Sequence, residues 1–410
     1  MHLTFQKPGL AICVQSRPAE SSLPRVYLMD ISYFSGKFES YLRYKEIPFE
    51  RITVTHAQLL NTVYAKTGLM KVPVMQTADG HWLSDTSPMI AFLEQAHPSA
   101  PVLPADPARR FLALLIEDYC DEWLWRPAMY YRWAFAPDRA LNRLRAGREI
   151  LSGGPLPGRW LAYYFAARQY LVFVRGDGVR RETRPTIEEL YLESLSSLSN
   201  ILREQPFLSG SAPGLVDFAF MGPMFRHFSI DPTPASIMRQ RAPEVYEWVA
   251  RLWNARASSF RARWTSAPRF DSKNWDAIFL RICRDYLPYL LQNARAFRLG
   301  RRRFDHASGG VLFRRLRTNA YRVLCRERLR ESYLALASAS KRQVDRRLNA
   351  IDPHWAETLE EDIASGQQDA YELPHRPLPP VGYLEKAWRF LGGTPRDRPA
   401  SRLKQNNILH

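Results

Sequence analysis

Cysteine is scarce in this 410-residue chain, and its spacing excludes several classes of protein. The four cysteines, Cys13, Cys120, Cys283 and Cys325, lie far apart, and none belongs to a Cys-x-x-Cys pair. That argues against a zinc ribbon, a dithiol redox motif and a disulfide framework, and leaves four lone structural thiols. No metal is expected. Long apolar runs are missing as well: none approaches the ~18 residues needed to span a bilayer. Residues 9–14 form a short apolar stretch behind a proline, a poor secretory signal. The expected setting is cytoplasmic, without membrane insertion. Lysine is also rare, with 9 lysines among the 58 basic residues, set against 41 acids for a net charge of +17. Such a balance suits nucleic acid or an anionic membrane surface. An almost pure arginine bias follows from codon composition as readily, and no specific nucleic-acid partner is expected.

What is present describes a globular protein. Apolar residues make up 46% of the chain and aromatics 12%, enough for a sizeable core and two or three domains. Residues 1–24 lack periodicity and read as a tail. Over 25–97 the pattern sharpens. "VYLMDI" suits a buried strand, and "SGKFESYLRYKE" carries Phe38, Tyr41 and Leu42 at helical spacing. "FERITVT" is a second strand with Ile52 and Val54 on one face, and "AQLLNTVYAKTG" an irregular or short helix. "VPVMQT" and "HWLS" form a hairpin around Asp79-Gly80. "TSPMIAFLEQAH" is a helix with Thr86 as its N-cap and Pro88 in the first turn.

A linker, "PSAPVLP", covers 98–104, and 105–265 reads as all helical. Its first helix is expected to run unbroken through "DPARRFLALLIEDYCDEWLWRPAMYYRWAF", with Asp106 as N-cap and Pro107 at the first position. Residues 266–365 read as a basic helical extension, with 19 Lys/Arg against 7 Asp/Glu over 271–350. Ile278, Ile282 and Leu290, then Tyr321, Leu324, Leu329 and Tyr333, recur at near-helical spacing. A free electrostatic arm would not need these apolar faces, so the extension is expected to dock. Residues 366–410 are rich in Pro, Gly and polar side chains and are expected to be poorly ordered.

The βαβ-then-ββα order, the Val72-Pro73 before the third strand and the Asp85-Thr86 pair before a helix together resemble the glutathione transferase superfamily over about residues 25 to 260. "ISYFSGKFESYLRYKEIPFE" and "RDYLPYLLQNARAFRLGRRRFD" also resemble an extended bacterial glutathione-transferase-like group, which carries the match to about residue 350. The resemblance implies an α/β plus all-α fold: a thioredoxin-like N-terminal domain, then an all-helical glutathione-transferase C-terminal domain with a helical extension. It implies glutathione as co-substrate and a small apolar electrophile as its partner. A homodimer is compatible with it.

The resemblance also implies site roles. Pro73 is cis in the family, so that the backbone of Val72 pairs with a bound glutathione cysteinyl unit as a short antiparallel strand. Asp85 and Thr86 match the pair that holds the γ-glutamyl end. A helix N-terminus with a hydroxyl suits a carboxylate, and Asp85 suits an α-ammonium. Lys71 would face the glycyl carboxylate. A plainer reading makes Thr86 a cap, Asp85 a dipole-favouring acid and Lys71 a solvated lysine.

Ser32 aligns with the Ser or Cys that assists the sulfur in several classes. Tyr33 stands where many members have proline, so Tyr33 or Ser35 is an alternative partner for the sulfur, and either serine suits a plain N-cap. Lowering a thiol pKa by ~2 needs roughly 2.7 kcal/mol, which a hydrogen bond to the anion and a helix dipole together approach. With no cysteine in this segment, mixed-disulfide chemistry is disfavoured. Arg126 and Tyr130 are the preferred substrate-pocket residues in "DEWLWRPAMYYRW", an aromatic stripe that equally suits core packing. Asp217, in "GLVDFAF", matches the family's capping box with Gly214 at the cap and is read as folding information. Two rival functions are a non-catalytic glutathione-binding or interaction module of this fold, and a nucleic-acid or membrane-surface binder acting through the basic extension.

Overall fold

A computed structural model describes residues 23–151, 158–260 and 268–376, with 378 and 382. Most of the segments read as tails, residues 1–22 and most of those beyond 376, lie outside this set.

The N-terminal domain is a four-stranded sheet flanked by helices. Its strands β1 (Arg25–Leu28), β2 (Glu50–Thr53), β3 (Val74–Gln76) and β4 (Trp82–Ser84) lie in the order β2-β1-β3-β4. β1 and β2 are parallel, with Tyr27 opposite Ile52, whereas β1–β3 and β3–β4 are antiparallel. A parallel pair needs a crossover, and α1 (Tyr33–Tyr44) supplies it. Ser32 caps α1, its Oγ accepting from the Ser35 N–H at 3.3 Å. Phe38, Tyr41 and Leu42 are fully buried on the inner face of α1. The segment after β2 is short and irregular: α2 (His56–Gln58), a π-type turn over Leu59–Tyr64, then α3 (Ala65–Thr67).

α4 (Thr86–Ala96) closes the domain. Its N-cap is Asp85 and not Thr86, which is the first helical residue; Asp85 has φ 72° and its carboxylate bonds to no backbone N–H of the helix. Glu94 of α4 ties down the linker: it accepts from Tyr41 Oη at 2.8 Å, from the Val102 N–H at 2.8 Å and pairs with Lys45 at 2.8 Å.

The helical domain follows as α5 (Pro107–Glu122), α6 (Trp125–Ala134), α7 (Ala136–Glu149), α8 (Gly158–Gln169), α9 (Arg184–Glu204), α10 (Leu215–Pro223), α11 (Pro232–Arg241) and α12 (Pro243–Asn254). Asp106 caps α5, accepting from the Arg109 N–H at 2.8 Å. The helix expected to run unbroken from Asp106 instead divides at Trp123-Leu124. Pro127 is the cause: it has no N–H for the Trp123 carbonyl and its ring crowds the turn before it, so a new helix starts within one turn of it. Asp217 organises the start of α10. Its buried carboxylate accepts from the N–H groups of Gly214, Leu208 and Ser209 at 3.0, 2.7 and 3.0 Å and from Trp248 Nε1 at 3.0 Å.

The extension is built from α13 (Asp276–Arg281), a π-type turn over Ile282–Tyr286, α14 (Leu287–Arg298), α15 (Ala320–Leu334) and α16 (Ser338–Asn349). It is docked: α15 and α16 pack on α5, and Ile278, Ile282, Leu290, Leu324 and Leu329 are buried. It is not all helical. Between α14 and α15 lies an antiparallel hairpin, β5 (Arg303–Ser308) and β6 (Val311–Arg317), turning at Gly309-Gly310. His306 and Phe313 face inward in the period-two alternation of a strand, which a bulge interrupts at the consecutively exposed Arg314 and Arg315 (φ 56° at Arg315) before Leu316 turns inward again. The start of the last segment is also ordered against the protein. Tyr371 is buried, the His375 N–H donates to the Trp82 carbonyl at 2.8 Å, and His375 Nε2 lies 2.6 Å from Ser84 Oγ.

Candidate functional site

A cavity of about 370 Å³ lies between the two domains and beneath the extension. The N-terminal domain contributes Ser32, Lys71, Val72, Pro73, Asp85 and Thr86 to its wall. The helical domain contributes an apolar face: Trp125, Met129 and Trp133 of α6, Phe165 of α8 and Phe173 beyond it. The extension contributes Tyr321, and the segment after it Tyr371. This combination of a largely apolar pocket with a few converging polar groups is the usual form of a small-molecule site.

Three residues at the start of α1 were candidates for the sulfur, and they point in different directions. The Tyr33 hydroxyl donates to the Cys120 carbonyl at 2.6 Å, and burial pushes its pKa well up. The Ser35 hydroxyl is fully buried and accepts from the Met29 N–H at 3.2 Å. Ser32 is half-buried and lines the cavity. Its hydroxyl accepts in the cap, which leaves its proton to donate.

The loop that carries Ser32 is clamped by the helical domain. Glu149 accepts from the Ile31 N–H at 3.0 Å, Arg132 Nη1 donates to the Ile31 carbonyl at 2.6 Å and Arg145 to the Asp30 carbonyl at 2.8 Å. Arg132 is itself buried and paired with Asp231 at 2.7 Å. His227, 2.9 Å from Arg132, is held neutral by burial and by that cation, which together push its pKa well down.

At the third strand the Val72-Pro73 peptide is cis, and among the described residues no backbone–backbone hydrogen bond outside the helices and strands uses Val72. Thr86 is buried at the N-terminus of α4, where backbone N–H groups and the helix dipole favour an anion. Asp85 is engaged by the extension. Tyr321 Oη donates to both of its oxygens at 3.0 Å, and Arg328 pairs with it at 3.3 Å. The Lys71 ammonium lies 4.5 Å from the centre of the Tyr321 ring and 5.6 Å from that of Tyr371, within cation–π range.

Arg126 and Tyr130 do not line this cavity. Arg126 is buried between the rings of Trp123 and Tyr289, 4.0 and 4.4 Å from their centres, and burial lowers its pKa. The Tyr130 hydroxyl donates to Glu188 at 2.6 Å. Both lie one position beyond the residues that do line it. On α6 the cavity face is Trp125, Met129, Arg132 and Trp133, the i, i+4, i+7, i+8 stripe of a helix. Tyr321 and Tyr371 had no comparable signal, being brought to the site from 236 and 300 residues away along the chain.

Two family models match the chain: the glutathione S-transferase N-terminal domain over residues 26–101 and the glutathione S-transferase C-terminal domain over residues 170–255. The chain belongs to the glutathione S-transferase superfamily. Among solved structures it is similar to a Tau class glutathione S-transferase from mango, Mangifera indica (15% identity, 57% of this chain and 89% of that one, TM-score 0.38). It is also similar to the β-etherase LigF of a Sphingobium strain (16% identity, 56% and 94%, TM-score 0.40). A third is a glutathione S-transferase of Methylobacterium radiotolerans in complex with glutathione sulfonate (23% identity, 60% and 94%, TM-score 0.35). No curated protein matches it in sequence. In this superfamily member the cavity is walled by the first family domain, by residues 121–169 between the two matched stretches and by Phe173 and His227 of the second, and Tyr321 and Tyr371, beyond residue 255 and outside both family models, close over it. Among the described residues no helix is long and apolar enough to cross a membrane, and no His/Cys/Asp/Glu cluster has the form of a metal site.

Proposed function

We propose that this protein binds glutathione in the interdomain cavity and transfers its sulfur to a small apolar electrophile. The observation that carries the reading is the composition of one cavity wall: Ser32, Lys71, Val72, Pro73, Asp85 and Thr86 meet there, opposite an aromatic face. The cysteinyl backbone pairs with Val72, and Thr86 with the α4 N-terminus takes the γ-glutamyl carboxylate. Lys71 faces the glycyl carboxylate, and Asp85 borders the α-ammonium. Ser32 donates to the sulfur and favours thiolate over thiol, because an O–H bond to an anion is stronger than one to a neutral acceptor. The electrophile lies against Trp125, Phe165 and Phe173, an apolar surface that excludes water from the attacking sulfur. Attack forms the S–C bond, and the electrophile's leaving group departs with the bonding pair. The reading places the protein among soluble cytoplasmic conjugating enzymes of a detoxification type.

The test is a calorimetric titration with glutathione, followed by turnover with an activated aryl chloride. Saturable binding and a rate lost in Ser32→Ala support transferase chemistry. Binding without turnover towards any of a panel of aryl, alkyl and epoxide electrophiles would instead support the non-catalytic binding module. Absence of binding would refute the glutathione reading.

A further inference from the structure

Three carboxylates line the cavity, and each already has a cation from the protein beside it. Asp121 lies 2.6 Å from Lys37 Nζ, Glu122 lies 2.7 Å from Arg322 Nε, and Asp85 lies 3.3 Å from Arg328 Nη1. Two of those cations, Arg322 and Arg328, stand on α15 of the extension. Asp85 is the residue that would meet a glutathione α-ammonium. Its side chain is 10% exposed, and it accepts from the Tyr321 hydroxyl through both oxygens. An arriving ammonium would share that carboxylate with a guanidinium a few ångströms away, in a partly desolvated site where like charges repel strongly. Groups that favour anions stand at the same wall: the N-terminus of α4 lies at Thr86, and the Lys71 ammonium lies on the Tyr321 ring.

We infer that Tyr321 and Arg328 are specificity-determining residues, which make the site read the carboxylates of a thiol peptide and not its α-ammonium. The inference rests on the glutathione reading above. The extension therefore widens the thiol class: γ-glutamyl thiols with an acylated or missing amino group bind as well as glutathione.

The full-length chain is titrated calorimetrically with glutathione and with N-acetylglutathione. The wild type is expected to bind both within about threefold, since acylation removes a charge that the site does not use. Tyr321→Phe/Arg328→Gln, which frees Asp85, is expected to bind glutathione about tenfold more tightly, through one new charge-assisted hydrogen bond, with no gain for the acetylated thiol. Arg328→Lys keeps the charge and should behave as wild type. The wild-type comparison needs no variant, so a variant that fails to fold leaves the inference open to refutation. A wild-type preference for glutathione of about tenfold or more would overturn the inference while upholding the glutathione reading. So would a folded double variant with unchanged glutathione affinity. Binding of neither thiol by any form would overturn both.

Discussion

Ser32 is asked to perform two tasks, and one substitution separates them. Its Oγ accepts from the Ser35 N–H at 3.3 Å, a long capping bond, so the cap contributes at the lower end of the usual range, about 0.5–1 kcal/mol. Its proton is available to a thiolate, and a hydrogen bond to a charged group contributes about 1.5–3 kcal/mol. Ser32→Ala should therefore lower stability slightly and turnover by roughly 10- to 150-fold, the conversion of that energy at ~1.4 kcal/mol per decade. Ser32→Asp retains a good cap at a helix N-terminus, but offers no proton near neutral pH and sets a charge against the thiolate. It should melt at or above the wild-type temperature and lose turnover at least as severely as Ser32→Ala. The assays are thermal unfolding, the initial rate with an activated aryl chloride, and the pH dependence of the absorbance of the bound thiolate. If Ser32→Asp or Ser32→Ala retains wild-type turnover and an unshifted thiolate titration, Ser32 is a cap only, and the sulfur's partner lies elsewhere.

Three further outcomes are expected. Arg132→Met leaves buried Asp231 without its cation and the Ile31 carbonyl without its donor; this should destabilise by about 3–5 kcal/mol in denaturant unfolding, with partial recovery on adding Asp231→Asn, and equal midpoints for Arg132→Met and wild type would refute the clamp. Gly222→Ala would place a Cβ 2.5 Å from the Tyr33 ring, so it should cost about 1–3 kcal/mol by overpacking and disturb the start of α1, whereas an unchanged melting curve would show that Tyr33 yields freely. Burial lowers the His375 pKa to about 4, with Asp85 pulling the other way. The free imidazole titrates near ~6.5, so between about 4 and 6.5 the undocked segment binds more protons than the docked one. Docking of this segment on β4 is thus fully stable above that window and weakens as the pH falls through it. Hydrogen exchange at the His375 amide should rise on acidification from pH 7 to 4.5 and should be pH-independent, after correction for intrinsic rates, in His375→Gln.

What could be read without a structure was what short-range chemistry determines. The Asp106-Pro107 start of α5 rests on a bond between near neighbours in the chain, so its spacing alone announces it, and the capping role of Asp217, equally local, was legible through the family resemblance. The succession of strands and helices along the first domain followed from alternation and turn residues, whereas its sheet order came only with the structure. The hairpin in the extension was equally local but was masked by its arginines. Read as part of a basic helical extension, "RRRFDHASGGVLFRRLR" hid two strands whose alternation is broken by a bulge at Arg314-Arg315, and Gly309-Gly310 was the signal that marks their turn.

Two matters belonged to the tertiary structure. One is which face of α6 lines the cavity. Trp125 and Arg126 are adjacent, and the break imposed by Pro127 resets the rotation of the helix, so only packing against α7, α9 and the segment Tyr170–Arg175 decides that Trp125 faces inward and Arg126 is buried against Tyr289. The other is the charge state that a ligand meets. Asp85 alone in the sequence is an open acceptor for an ammonium. In the fold it is a paired carboxylate, because α15 brings Tyr321 and Arg328 to it from 236 and 243 residues away. Electrostatic partners act through space, and no local pattern records which side chain the chain will fold back to place there.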